Sequence, residues 1–153
     1  MTLDTVQFRA ATAEDAEELL KLQYLCYQSE AALYGYDIQP LTQRLSEVAR
    51  EIAEQLSFVA TLDGLIVGGV RCRVAEGDVV LGKLVTHPRA QRRGIGSQLM
   101  AHVENAARDI PEVHAITLFT GSRSTDNLRF YQRRGYQVTH TDNAMTWMRK
   151  SID

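Results

Sequence analysis

The run Gln91-Arg92-Arg93-Gly94-Ile95-Gly96-Ser97 sets cationic side chains beside two glycines where the hydrophobic pattern changes period. Unpaired N–H groups at a helix start attract anions, and glycine lets a ligand approach that backbone closely. Arg92 and Arg93 add positive charge beside it. The chemistry expected is capture of a phosphate-bearing ligand; the alternative is a plain glycine-opened helix with solvated arginines. Two familiar phosphate loops fit badly. No Gly-Lys-Ser/Thr triplet follows Gly96, and Leu99 stands where a dinucleotide fingerprint needs a third small residue.

The elements that must position this run can be read around it. Upstream, Val79, Val80, Leu81, Leu84 and Val85 supply the apolar run of a buried strand, which Pro88 ends by removing a ladder donor. Downstream, Ile95, Leu99, Val103 and Ala106 recur at helical spacing. Towards the N-terminus, Val6 to Ala10 alternates as a half-buried strand. Thr12 is placed to cap a helix carrying Ala16, Leu19, Leu20 and Gln23 and running to about Tyr27. Ser29 to Gln39 is aromatic and less regular. A second helix follows Pro40, with Leu41, Leu45, Val48, Ile52 and Leu56 on one face. Ser57–Leu62 and Leu65–Val74 read as strands joined by the hairpin signal Asp63-Gly64, and Gly68-Gly69 suggests a bulge or close packing. Val113 to Thr120 is a further strand. A short helix from Asn127 to Arg134 stops at Gly135, and two last antiparallel strands follow, Tyr136–His140 and Met145–Arg149.

The chain has 153 residues, 44% of them hydrophobic, enough for one domain with a sizeable core, spanning 1–153. A formal charge of -2 gives no global pull towards nucleic acid or membrane. No apolar run approaches membrane-spanning length, and the polar N-terminus does not read as a signal peptide. Cys26 and Cys72 are isolated and the histidines scattered, so neither a disulfide framework nor a metal site is expected. A reducing cytoplasm is the default location.

The order β-α-α-β-β-β-α-β-α-β-β suggests an α+β fold, a mixed and mostly antiparallel sheet of about six to seven strands with helices on both faces. Gln91-Arg92-Arg93-Gly94-Ile95-Gly96, after a strand and Pro88, resembles motif A of the GNAT superfamily of acyl-CoA N-acyltransferases, Gln/Arg-x-x-Gly-x-Gly/Ala. Phe130-Tyr131, three residues, then Gly135-Tyr136 resembles motif B, and the element order matches the family from about Val6 to Lys150.

That resemblance implies a cleft where the organising strand parts from the strand after its helix, with backbone groups of Leu84, Val85 and Thr86 holding the pantetheine arm. One of these N–H groups would polarise the thioester carbonyl. It further implies a diphosphate on the amides of Arg92, Arg93, Gly94, Ile95, Gly96 and Ser97, with Gln91 closing the loop. Thr86 is usually Val in the family, which a backbone contact tolerates. Tyr131 is the candidate general acid for the departing thiolate; packing on a helix face is its rival role. The family often has an Asn seven positions before that Tyr, where this chain has Ser124. Ser124 or Asn127 could make the contact to coenzyme A, and either could instead cap a helix. Arg123, Arg129 and Arg133 are candidates for the ribose 3′-phosphate or for a solvated helix face. The general base is not evident: Glu30, Glu76 and Asp78 are candidates, as is proton relay through ordered water. Tyr27, Tyr34 and Tyr36 fall in the segment that commonly forms the acceptor pocket.

The function implied is acetyl transfer from acetyl-CoA to a primary amine, small molecule or peptide, by direct attack in a ternary complex, without metal. Two rivals stand beside it: a non-catalytic acyl-CoA-binding regulatory module, and a transferase of longer acyl chains. Dimerisation is common in the family, and no feature of the sequence demonstrates a homodimer.

Overall fold

The computed structural model describes residues 5–54 and 56–153; the first four residues of the polar N-terminus lie outside this range. Seven strands form one sheet in the order β1-β2-β3-β4-β5-β7-β6. They are β1 (Gln7–Ala10), β2 (Leu56–Leu62), β3 (Leu65–Ala75), β4 (Asp78–Thr86), β5 (Ala115–Gly121), β6 (Gln137–Thr141) and β7 (Met145–Ser151). All neighbours are antiparallel except β4 and β5. The helices are α1 (Ala16–Cys26), α2 (Gln28–Tyr34), α3 (Gln39–Thr42), α4 (Leu45–Glu54), α5 (Ile95–Arg108) and α6 (Thr125–Arg133).

The two faces of the sheet bury different helices. On one face Ile95, Leu99, Met100, Val103 and Ala107 of α5 pack with Val70, Val79, Leu81, Ile116 and Leu118. Leu99 is wholly buried, which contributes roughly 1.5–3 kcal/mol at a typical transfer value. On the other, Leu19, Leu20 and Leu22 of α1 and Val48 and Ile52 of α4 pack with Val59, Ile66 and Val85. Gly68 and Gly69 allow this closeness on both sides. A β-carbon on Gly68 would stand 2.8 Å from Ile95 Cγ2, and one on Gly69 would stand 2.7 Å from Leu19 Cδ2. The pairing also slips beside this pair, between Ala60 and Thr61, so both expectations for the glycines hold.

Three readings of the N-terminal half need correction. The aromatic stretch read as irregular contains α2. The helix after Pro40 is two pieces, α3 and α4, separated at Gln43, whose side chain is buried among polar partners. Leu45 is exposed and Leu56 already belongs to β2, because the apolar run of the helix continues directly into that of the strand.

Candidate active site

The site begins with a bulge. Arg71 pairs with Lys83 but Cys72 pairs with Leu81, so Gly82 is an extra residue in β4. A β-carbon there would stand 3.1 Å from the Arg71 carbonyl oxygen, so the close backbone approach favours glycine. β4 and β5 then pair only over Asp78–Val80 and Ala115–Thr117, and beyond Val80 they part. His87 N–H donates to Val67 O at 2.7 Å. Alternation along the antiparallel ladder therefore turns the peptide groups of Leu84 and Thr86 into the gap and those of Val85 towards β3. Val85 departs from its expected place for this reason, and its side chain is buried in the α1-facing core. The Thr86 carbonyl accepts from Cys26 Sγ at 3.2 Å.

At the end of β4 the chain turns through Pro88–Ala90 into α5. Gly94 is left-handed at φ 73°, as is Arg92 at φ 69°. The amides of Ile95, Gly96 and Ser97 have no acceptor among the described residues, and the first closed turn is Gln98 N–H to Gly94 O at 2.9 Å. Gln91, Arg92, Arg93 and Gly94 are exposed; the Ile95 side chain is buried in the core. A β-carbon on Gly96 would stand 3.4 Å from the Phe130 ring and 3.8 Å from Thr86 Oγ1, so the helix start, the end of β4 and α6 converge. Open amides beside a glycine, with cationic side chains near, form a cradle that suits a diphosphate.

A cavity of about 580 Å³ opens between the parted strands and α1–α4. Leu84, Asn127, Phe130 and Tyr131 lie on its wall, with Tyr27 and Tyr34; the amides of Gln91 to Ser97 lie outside it, and Tyr36 is exposed. Tyr131 stacks edge-on with Phe130 at 5.1 Å and Tyr136 at 5.8 Å. Burial raises the Tyr131 phenol well above its ordinary range, and pushes that of Tyr27 up to about 12. The thiols are likewise held protonated by burial, Cys26 up to about 11 and Cys72 to about 12.

Ser124 and Asn127 both serve α2. The Ser124 hydroxyl donates to the Glu30 carboxylate at 2.9 Å and lies 3.3 Å from Tyr34 Oη, without capping its own helix. Asn127 Nδ2 reaches Glu30 Oε1 and Thr120 Oγ1, each at 3.4 Å. Tyr34 Oη accepts from Arg123 N–H at 2.9 Å, and the Arg123 guanidinium lies 5.4 Å from that ring. Of the candidate bases only Glu30 lines the cavity. Asp78 is bonded to Arg149 at 3.2 Å, and Glu76 sits in a left-handed turn with φ 53°.

Sequence reasoning missed a polar cluster on the same wall. Arg71 is buried; its Nη2 bonds Gln23 Oε1, and its Nε lies 3.0 Å from Glu51 Oε1 as an ion pair without an aligned hydrogen bond. Gln23 Nε2 donates to Gln43 Oε1 at 2.9 Å and to Pro40 O at 2.8 Å. Lys83 Nζ lies 3.8 Å from Glu51 Oε2. Desolvation lowers the pKa of Arg71 and of Lys83, and the Glu51 charge opposes the shift in both. The signal was available. Arg71 interrupts an apolar strand on the same phase as Gly69, and Glu51 shares the helix face of Val48 and Ile52.

No group of metal-binding side chains occurs among the described residues, nor any helix long and apolar enough to cross a membrane. A family model described as an acetyltransferase (GNAT) domain matches residues 53–138. The chain is 34% identical to S-alkylcysteine N-acetyltransferase of Bacillus subtilis over 140 residues, covering 86% of this chain and 78% of that protein. The PaiA N-acetyltransferase of Thermoplasma acidophilum, solved with coenzyme A, superposes with a TM-score of 0.85 at 18% identity, covering 96% of this chain and 99% of that one. A GNAT-family acetyltransferase of Staphylococcus aureus superposes at 0.81 with 15% identity, covering 97% of this chain and all (100%) of that one. With the bulged strand, the parted pair and the open helix start in the expected order, this chain belongs to the GNAT superfamily of N-acetyltransferases.

Proposed function

We propose that this protein transfers an acetyl group from acetyl-CoA to a primary amine by direct attack in a ternary complex. The acceptor class that fits best is a small amino-acid derivative acetylated on its α-amine, as the name of the Bacillus subtilis relative suggests for that protein. The observation that carries the reading is the gap between β4 and β5, with peptide groups of β4 that make no ladder bond to β5 on one wall and Tyr131 on the other.

Acetyl-CoA supplies an activated thioester carbonyl and a thiolate leaving group. The amides of Arg92 to Ser97 would hold its diphosphate, with Gln91 closing the loop, and Leu84 and Thr86 would bind the pantetheine arm through their peptide groups. An N–H of Leu84 aimed into the gap suits the carbonyl oxygen as negative charge develops there. Asn127, whose contacts to Glu30 and Thr120 are long, is freer than Ser124 to meet this ligand.

Tyr131 would donate to the departing sulfur. Burial raises its pKa well above that of a free phenol, which titrates at about 10. The same burial raises a thiol placed beside it, and the phenol stays protonated and able to donate at any working pH. Neither Cys26 nor Cys72 is poised to carry the acyl group, since burial keeps both as thiols, which supports direct attack.

Thermal-shift titration with acetyl-CoA, CoA and longer acyl-CoAs tests the binding; thiol release across an amine panel that includes S-methylcysteine tests transfer. Stabilisation by acetyl-CoA with release on amino-acid acceptors is the expected result. Stabilisation without release from any amine would make the protein a binding module instead.

A further inference from the structure

We propose that Lys83, held beside the Arg71–Glu51 ion pair, is the seat for the acceptor's carboxylate and so selects amino-acid-like substrates over simple amines. This rests on the proposed transferase reading, with the acceptor entering the cavity that Leu84 and Tyr131 line.

Five charged side chains line the cavity: Arg71, Arg73 and Lys83 against Glu30 and Glu51. Positive charge is therefore in excess. Arg71 is already committed, with Nη2 bonding Gln23 and lying 3.4 Å from Gln43 Oε1, and Nε against Glu51. Lys83 is not. Its side chain is 12% exposed, its ion pair with Glu51 Oε2 at 3.8 Å is too long for a hydrogen bond, and Glu47 and Arg71 act on it only through their charge. Glu51 thus shares one carboxylate between ion pairs to two cations. An ammonium largely shielded by protein attracts an anion strongly, and an incoming carboxylate can accept its hydrogens in charge-assisted bonds.

Position agrees with charge. Lys83 directly precedes Leu84, whose peptide groups face the gap, and both line the cavity. An α-amino acid carries its carboxylate and its amine on one carbon, so anchoring the first confines the second to the neighbourhood of β4. The same excess of positive charge works against acceptors bearing several ammonium groups. Arg71 acts as a positioning residue: its bonds to Gln23, Gln43 and Glu51 tie α1, the α3–α4 junction and α4 to β3, fixing the wall on which Lys83 lies.

The test uses the full chain saturated with CoA, and measures calorimetric binding of S-methylcysteine and of its carboxamide, which keeps the amine and removes the charge. Thiol release from acetyl-CoA is followed in parallel. Wild type should bind the acid about tenfold or more tightly than the amide, the usual worth of a hydrogen bond to a charged group. Lys83→Met should erase that preference and Lys83→Arg should restore part of it, all three proteins having matching circular dichroism. Glu51 retains Arg71 in both variants, so the fold keeps its ion pair. Equal binding of acid and amide by wild type, a preference surviving in Lys83→Met, or no binding of either ligand would overturn the seat. A Lys83-dependent preference without thiol release would uphold the seat and overturn the transferase reading instead.

Discussion

Tyr34 lays its hydroxyl directly over Gly121. A β-carbon on Gly121 would stand 2.1 Å from Tyr34 Oη, far inside contact distance. α2, which carries Tyr34 and Glu30, is thereby pinned to the end of β5 and the start of α6 through bonds to Ser124 and Arg123 N–H. Gly121→Ala must expel that ring. We expect a loss of about 1–3 kcal/mol in urea unfolding, the usual range for overpacking. Weaker acceptor binding should accompany it, because Tyr34 and Glu30 both line the cavity. Unchanged stability would mean that α2 is not held at this point.

Tyr131→Phe keeps the ring and its stacking on Phe130 and Tyr136 while deleting the donor. Turnover should fall about 100-fold, within the range for one general acid. Acetyl-CoA affinity should stay nearly constant, since the amides proposed to hold its diphosphate lie outside the cavity that Tyr131 lines. A lost affinity with unchanged turnover of the bound fraction would remove Tyr131 from the chemistry.

Gly94→Asn separates backbone shape from ligand space. Asparagine tolerates the left-handed region better than other side chains, and nothing in the protein lies within 4 Å of a β-carbon there. The thermal midpoint should move little. The new side chain stands beside the open amides, so the Kd for CoA should rise about tenfold or more if those amides hold its diphosphate.

Acid stability should report Asp15. Its carboxylate is held below the ordinary range by hydrogen bonds from Arg9, and by one from Thr12 N–H at 2.7 Å. Because the folded pKa is depressed, the unfolded chain binds more protons in the window below about 3.9, and stability drops as pH falls through it. At neutral pH the contribution is fully present. Asp15→Asn should therefore cost about 1 kcal/mol at pH 7, a modest value since Arg9 is half exposed. The variant's pH profile should also be flatter between pH 4 and the folded pKa. An unchanged acid profile would show that Asp15 does not set this slope.

Much of this protein was written in local pattern. Strands β2 to β5 and helix α5 follow from apolar runs and helical spacing, and the glycine start of α5 from Gly94 alone, because these signals act over a few neighbouring residues. The stretch from Gln28 to Arg44 was not legible. Its short helices lack an amphipathic stripe and are held by distant partners: Glu30 by Ser124, Tyr34 by Gly121, Gln43 by Gln23.

What the sequence determined was the family and the glycine-opened start of α5, since glycine conformations, motif spacing and the order of elements are properties of the chain itself. What only the tertiary structure decided was the polar wall of the cavity. Gln23, Gln43, Glu51, Arg71 and Lys83 come from five separate segments and meet only once the sheet is formed and α1 and α4 are laid on it. The same holds for Val85, which shares a motif with Leu84 and Thr86 yet turns its peptide groups to β3. One residue of register on a ladder reverses which edge a backbone group faces, and the register is fixed by the bulge at Gly82 together with the strand across from it.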